Sequence, residues 1–316
     1  MNAASEMRGH TLSAIRPRFG GQSLPVRVLH RGYRDLWETP RRSRIRKAFL
    51  ARAHSWNALD HGDAELHTLL CHRDVEMGMC ASLAFAFACG RRFSWIVHDD
   101  GSLTTGDVER ITATIPGTFV IGRRQADERA RREHYGLRRV QEYRDSQVMA
   151  LKLVDVRIWA RSDRIGYLDS DICFFRYPEF FLNALEREAS GSFFNRDIRD
   201  SYVLTRDELE RRMGFAPPER INAGLWVMDR DDIDLDRIEG WLAGPGFSDC
   251  RYGYTLDQTM IAMLGVVSGH GIAHLPREYD VDLHKTLAAS VCKHYVGAIR
   301  HGFELEGLTS LMGGTR

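Results

Sequence analysis

From residue 65 onward, apolar positions alternate between short solid runs and helix-spaced patterns. Residues 66–71 (LHTLLC) form an apolar run of strand length, and residues 74–89 (DVEMGMCASLAFAFAC) read as a helix with Asp74 as its N-cap. Residues 93–98 (FSWIVH) predict a second buried strand, followed by Asp99, Asp100, Gly101 and Ser102. Residues 104–115 predict a helix stopped by Pro116 and Gly117, and residues 118–122 (TFVIG) a third strand. This strand–helix order with short links predicts a parallel sheet with crossover helices. Residues 124–144 read as one long charged helix. Residues 146–160 read as another, leading into a strand over 164–168 (RIGYL). A further apolar strand covers 221–228, and a helix opens near Asp257. Residues 185–220 read as loops whose Phe193, Phe194, Arg196, Asp197 and Tyr202 serve either as an acceptor or lid surface or as plain surface. No repeat, low-complexity tract or domain boundary interrupts the chain after residue 60.

Length and charge narrow the possibilities. The 316 residues suffice for one large domain or two modest ones without disulfide support. A net charge of +1 argues against general polyanion binding by the whole chain. No apolar stretch of membrane-spanning length and no secretory leader pattern is present, so a cytoplasmic protein is expected. The six cysteines include no CxxC pair and read as free thiols of a reducing compartment. The charge is unevenly placed: residues 1–55 hold 12 basic and three acidic residues, hence +9, leaving −8 for the remainder. The chain therefore divides into a basic N-terminal segment, 1–60, and a domain, 61–316. Residues 1–25 read as flexible. Residues 40–56 read as a short basic helix with Ile45, Phe49 and Arg52 or Ala53 on one face. Such a helix either docks on a peripheral membrane surface or polyanionic acceptor, or packs on the domain by its apolar edge; the second reading is the stronger.

The chemistry-bearing positions fall at the ends of these elements. In YLDSDICFF (167–175) an apolar strand runs into Asp169 and Asp171. Ligands of open α/β sheets bind past the carboxyl ends of the strands. Two adjacent carboxylates repel each other, and burying them is costly unless a cation pairs with them. Hard oxygen ligands suit Mg²⁺ or Mn²⁺, which can screen a diphosphate. The plain alternative is an Asp-x-Asp turn in an ordinary loop. Asn222 and Gly224 open the strand at 221–228, where they either meet a ligand or simply make a turn. Asp257 and Gln258 begin a helix, aimed at a site or serving as first-turn polar residues. In KHYVGAIR (293–300), His294 is either a structural or solvated histidine, the commoner case, or a ligand; as a ligand it would complete a set favouring Mn²⁺ over Mg²⁺, and Gly297 and Arg300 would then suit a phosphate. Only four of the 44 basic residues are lysines, and two of these, Lys152 and Lys293, lie beside these segments.

Taken in order, Lys152 with Leu153, Asp169 with Asp171, Asn222 with Ala223 and Gly224, Asp257 with Gln258, and His294 with Gly297 and Arg300 resemble the nucleotide-sugar glycosyltransferases of the GT-A fold. The nearest likeness is to the family-eight type, which includes lipopolysaccharide galactosyltransferases and glycogenin. The likeness covers about residues 65–303. It implies a Rossmann-like, mostly parallel sheet flanked by helices and a metal-dependent sugar transfer, hexosyl in kind, from a nucleotide diphosphosugar, UDP-linked in first place, to a hydroxyl acceptor that is a glycan, lipid or small molecule. It further implies that Asp169, Asp171 and His294 hold Mn²⁺ (or Mg²⁺), that Gly297 and Arg300 contact the diphosphate, and that Lys152 lies near the phosphate or the acidic pair. Asn222, Gly224, Asp257 and Gln258 would face the donor sugar, with Asp257 and Gln258 as the catalytic pair. By fold position His72, Arg73 and Asp99, with Cys71, Asp74, His98 and Asp100, would lie by the base and ribose. One departure stands out: the family's late Lys-Pro-Trp is Arg300, His301 and Gly302 here.

Other readings compete. A nucleotidyltransferase would carry a Gly-rich basic loop after the first strand, which Cys71, His72, Arg73 and Asp74 do not resemble. An Asp-x-Asp-x-Thr phosphatase needs a different residue set after Asp171 than Ile172 and Cys173. A non-catalytic scaffold of the same fold, or a polyanion- or membrane-surface-binding protein acting through residues 1–55, completes the list; specific nucleic-acid binding is not expected.

Overall fold

The computed structural model describes residues 38–133, 136–186, 189–244, 246–247 and 253–313. The stretch read as flexible, 1–25, and Cys250 lie outside the described residues. Among the described residues the first elements are α1 (Thr39–Leu50) and a 3-10 turn (Ala51–Ala58). Next come β1 (Asp60–Leu70), α2 (Val75–Cys89), β2 (Arg91–Asp99), α3 (Thr105–Thr114), β3 (Phe119–Ile121), α4 (Arg123–Glu133), α5 (Arg138–Ser146), α6 (Val154–Trp159) and β4 (Arg164–Leu168). They are followed by β5 (Ile172–Phe174), α7 (Glu179–Leu185), β6 (Ser192–Arg196), α8 (Arg206–Met213), β7 (Ile221–Asp229), α9 (Leu235–Ala243), α10 (Leu256–Val267), β8 (Ile272–His274), β9 (Cys292–His294) and α11 (Thr309–Gly313).

Seven strands form one sheet in the order β3-β2-β1-β4-β7-β6-β8. All adjacent pairs are parallel except those made by β7, which runs antiparallel between β4 and β6. β5 and β9 form a separate antiparallel pair. β4 and β7 are buried along nearly their whole length, as expected of central strands covered on both faces. Residues alternate between the two faces. Leu168, Leu225 and Val227 join α2, β5, Phe49 and Trp56 in one core. Ile165, Tyr167, Trp226 and Met228 join α5, α6, α9 and α10 in the other. α2 is apolar on every side, so it is buried all round. Gly90, at φ +67°, ends it in the left-handed conformation. Residues 39–58 pack on the domain through Phe49 and Trp56, the apolar edge of the basic helix. No helix among the described residues is long and apolar enough to cross a membrane.

Four local expectations change. The single helix read over 124–144 is two, α4 and α5, with Gly136 and Leu137 outside both. The stretch 146–160 is a 3-10 turn (Val148–Lys152) followed by the short α6, broken at Leu153. The break is anchored on both sides: Lys152 reaches forward to Asp169, just past β4, while Asp155, buried in α6, takes a bidentate pair from Arg144 at 2.6 and 3.0 Å. The loop stretch 185–220 contains β6 and α8, the latter started by a Thr205–Glu208 capping box. Asp74 precedes α2, but its carboxylate caps nothing, because Arg300 holds it at 2.8 Å.

Candidate metal and nucleotide site

Strand pairing brings the acids and the imidazole together. The β4–β7 ladder is extended by one bond past its end, where the Asp169 N–H donates to the Gly224 carbonyl at 2.8 Å. Asp169 is thereby fixed at the first position beyond the carboxyl end of β4. The chain turns within three residues, since the Ile172 N–H donates back to the Asp169 carbonyl at 3.3 Å, and enters β5. β5 pairs with β9 so that Ile172 lies opposite His294, and the Tyr295 N–H donates to the Asp171 carbonyl at 2.9 Å. Residues 123 positions apart thus become neighbours: His294 Nε2 lies 3.1 Å from Asp171 Oδ1 and 3.9 Å from Asp169 Oδ2. One ligand atom from each of Asp169, Asp171 and His294 falls within 4.8 Å of the others, a spacing that a single cation can bridge.

Asn222 fixes the imidazole's orientation. Its Oδ1 accepts from the Gly224 N–H at 2.9 Å and lies 3.1 Å from His294 Nδ1. An acceptor there places the ring proton on Nδ1 and turns Nε2 towards the acids, the arrangement found behind metal-bound histidines. Asn222 is held in turn by donating Nδ2 to Asp197 at 2.9 Å. Gly224 makes room for the ring: a Cβ there would lie 2.3 Å from His294 Cε1 and 2.8 Å from Nδ1. Gly224→Ala is therefore expected to displace His294. Titration with Mn²⁺ should then show at least about tenfold weaker binding, with a modest loss of melting temperature.

Cations internal to the chain already compensate the acids. Lys152 Nζ lies 2.7 Å from Asp169 Oδ1 and sits 5.3 Å from the centre of the Tyr167 ring, whose hydroxyl donates to Asp169 at 3.2 Å. Tyr167 stacks on Trp226 at 5.3 Å, which fixes its ring. Burial opposes the charge on Lys152, but Asp169, Tyr167 and Asp257 hold its ammonium well above its ordinary range. Arg300 places Nη2 2.8 Å from Asp74 and Nε 3.2 Å from Asp171, with Ser170 Oγ at 3.4 Å. Burial favours the neutral acid at Asp171, yet His294, Arg300 and Lys152 keep it below the usual carboxylate range. Burial likewise disfavours charge on His294, and Asp171 and Asp169 outweigh it, raising the imidazole. Two carboxylates and an imidazole on hard-ligand spacing fit a divalent cation, and its binding would release the imidazole proton.

The remaining sequence-derived positions divide. Asp257 is buried, and its carboxyl is pushed up to about 6 by burial despite Lys152 nearby, with Asp169 adding to the rise. Gln258 is engaged in the fold: Oε1 accepts from the Ala223 N–H at 3.1 Å and Nε2 donates to the Ser201 carbonyl at 3.1 Å. It ties α10 to β7 and to the loop after β6. Gly297, at φ +29°, opens the turn (Gly297–Ile299) that presents Arg300. Past β1, Arg73 is exposed beside Asp74, and His72 is exposed with Nδ1 2.6 Å from Asp107. The Asp99 carboxylate is engaged by backbone N–H groups, accepting from Gly101 at 2.8 Å and Leu103 at 3.0 Å in its own loop and from Arg123, at the start of α4, at 3.3 Å. His98 is buried, with Nε2 2.8 Å from His67 Nδ1. Sequence reasoning missed Tyr167 and the Asp74–Arg300 pair. The pair joins residues 226 positions apart and has no periodic signal; Tyr167 stood in the recognised strand, but nothing marked its hydroxyl.

No family model matches the sequence, and no curated protein does. Solved structures do resemble the chain. The apo bifunctional glycosyltransferase WbbM is 12% identical, with 78% of this chain and 49% of that chain covered and a TM-score of 0.50. Apo mouse xyloside xylosyltransferase 1 is 12% identical, over 69% of this chain and 86% of that one, at a TM-score of 0.46. The galactosyltransferase LgtC, in complex with donor and acceptor sugar analogs, is 13% identical, over 79% and 95%, at a TM-score of 0.44. At these identities the likeness is one of fold, and the architecture is the GT-A fold.

Proposed function

We propose that the chain is a glycosyltransferase that moves a hexose from a nucleoside diphosphosugar, UDP-linked in first place, to a hydroxyl acceptor, with Mn²⁺ favoured over Mg²⁺. The observation that carries this reading is the convergence of Asp169, Asp171 and His294 at the carboxyl edge of the sheet, with Arg300 and Lys152 beside them. Fold alone does not give activity; the residue set at the sheet's edge does the arguing.

In this reading Asp169, Asp171 and His294 hold the metal, which supplies Lewis-acid stabilisation of the departing diphosphate. The acceptor oxygen forms a bond to the anomeric carbon, the bond to the diphosphate oxygen breaks, and the acceptor proton passes to the released phosphate. Arg300 keeps a fixed positive charge near the leaving group, and Gly297 lets the backbone turn beneath it. Lys152 offsets the Asp169 charge before and after turnover. Asn222 holds the ring tautomer of His294, and ionised Asp257 accepts hydrogen bonds from the donor sugar. Gln258 positions β7 against α10. Cys80, Cys89, Cys173 and Cys292 are free and buried, which suits a reducing, cytoplasmic setting.

The test is a thermal-shift panel of nucleoside diphosphates with Mn²⁺, Mg²⁺ or chelator. A ligand at 100 times its Kd adds about 2.7 kcal/mol of stability, an easily read shift. Stabilisation by UDP that needs Mn²⁺ is the expected result. No shift with any nucleotide and any metal removes the reading and leaves a scaffold of the same fold.

A further inference from the structure

The basic helix α1 divides into two faces. Arg41, Arg44 and Lys47 point to solvent and make no ion pair among the described residues. Arg42 and Arg46 turn inward. Arg42 Nε lies 2.9 Å from Glu304 Oε2, and the Glu304 side chain is wholly buried. Arg46 makes two contacts with one guanidinium: Nε pairs with Glu76 at 2.8 Å and Nη1 pairs with Glu304. Glu76 lies in the first turn of α2, two residues after Asp74. Glu304 lies on the C-terminal helical segment, one turn after Arg300, and the two are linked through the Phe303 N–H to Arg300 carbonyl bond at 3.2 Å. The same two elements are thus joined twice, by Asp74 to Arg300 at the site and by Glu76 to Arg46 to Glu304 one turn behind it.

We propose that Arg46 is a positioning residue for Arg300, so that the N-terminal helix is a working part of the diphosphate end of the site. This rests on the donor-site reading above. Buried ion pairs are weak sources of stability, and in some proteins they serve to fix register instead. A planar fork that bridges two carboxylates sets the distance between their parent helices, which a point charge does less well. With that distance set, Arg300 meets Asp74 and Asp171 together.

Arg46→Ala is a clean probe because it strands no buried charge: Glu304 keeps Arg42, and Glu76 keeps Arg110. UDP binding with Mn²⁺ should weaken about tenfold in Arg46→Ala, be partly restored in Arg46→Lys, and stay unchanged in Arg44→Ala on the outer face. In an Arg300→Ala background, Arg46→Ala should weaken it no further. Unchanged affinity in Arg46→Ala, or the same fold-loss in both backgrounds, would overturn the proposal. If the unaltered protein binds no nucleoside diphosphate, the donor-site reading fails by itself. The unaltered protein, Arg46→Ala, Arg300→Ala and the double variant then decide the positioning claim through their denaturant midpoints: non-additive shifts sustain it and additive shifts refute it.

Discussion

Asp171→Asn is expected to abolish metal-dependent nucleotide binding and to lower sugar transfer by at least about 10³-fold, while the protein stays folded. The carboxylate stands 3.1 Å from His294 and 3.2 Å from Arg300, so its charge serves two partners. Removing that charge leaves neither partner as an unpaired buried cation. Arg300 retains Asp74 at 2.8 Å, and His294, whose protonation is favoured by Asp171 and Asp169, can discharge. An amide of the same shape therefore costs little packing but removes an anionic ligand. Mn²⁺ titration, UDP-dependent melting and turnover measured on the same preparation check this together. A variant that retains full Mn²⁺-dependent UDP binding would exclude the three-residue ligand set. Full binding without turnover would exclude that ligand set equally and leave Asp171 a role in the chemical step, through His294 and Arg300.

Most of what positions this site was legible because it is written in local pattern. The apolar runs at 66–71, 93–98, 118–122 and 164–168 became β1 to β4, and the carboxylates after the last of them stand at the sheet's edge. What was not legible has a common physical origin in contacts distant along the chain. Nothing local in 221–228 states that β7 runs antiparallel between β4 and β6, because a strand buried on both faces has the same apolar pattern in either direction. Asp74 carries the signature of an N-cap, yet a guanidinium 226 residues away competes for its oxygens and wins. Asp99 looks like a free acid after a strand, yet its own loop's N–H groups take up one oxygen and the Arg123 N–H, at the start of α4, takes the other. The two inward arginines of α1 are indistinguishable in sequence from the outward Arg41 and Arg44; only the placement of Glu76 and Glu304 divides them.

Asp257→Asn is expected to stabilise the ligand-free protein above pH 6 while lowering transfer by about two orders of magnitude. The sign follows from burial. The folded-state carboxyl titrates at about 6, above the ordinary 3.8, because desolvation outweighs the attraction of Lys152. Between those two values the folded state holds a proton that the unfolded state has released, so stability falls as pH rises through this window and is flat above it. The difference corresponds to something on the order of 3 kcal/mol, present in full as a penalty near neutral pH and absent below about pH 4. An amide mimics the protonated form and removes the penalty. The gain in unfolding free energy should therefore grow from about zero at pH 4 to its plateau by pH 7. Function requires the opposite state. If ionised Asp257 accepts hydrogen bonds from the donor sugar, wild-type turnover should decline as pH falls through about 6, and the residual activity of Asp257→Asn should lack that limb. Denaturant melts and turnover measured across pH 4–8 on both proteins check the two halves independently. A variant that is destabilised at pH 7 would show that Asp257 is needed for packing, whereas one that is stabilised and fully active would place it outside the donor pocket. The expected result, greater stability with less activity, is what a buried acid kept charged against desolvation for the sake of a ligand must give.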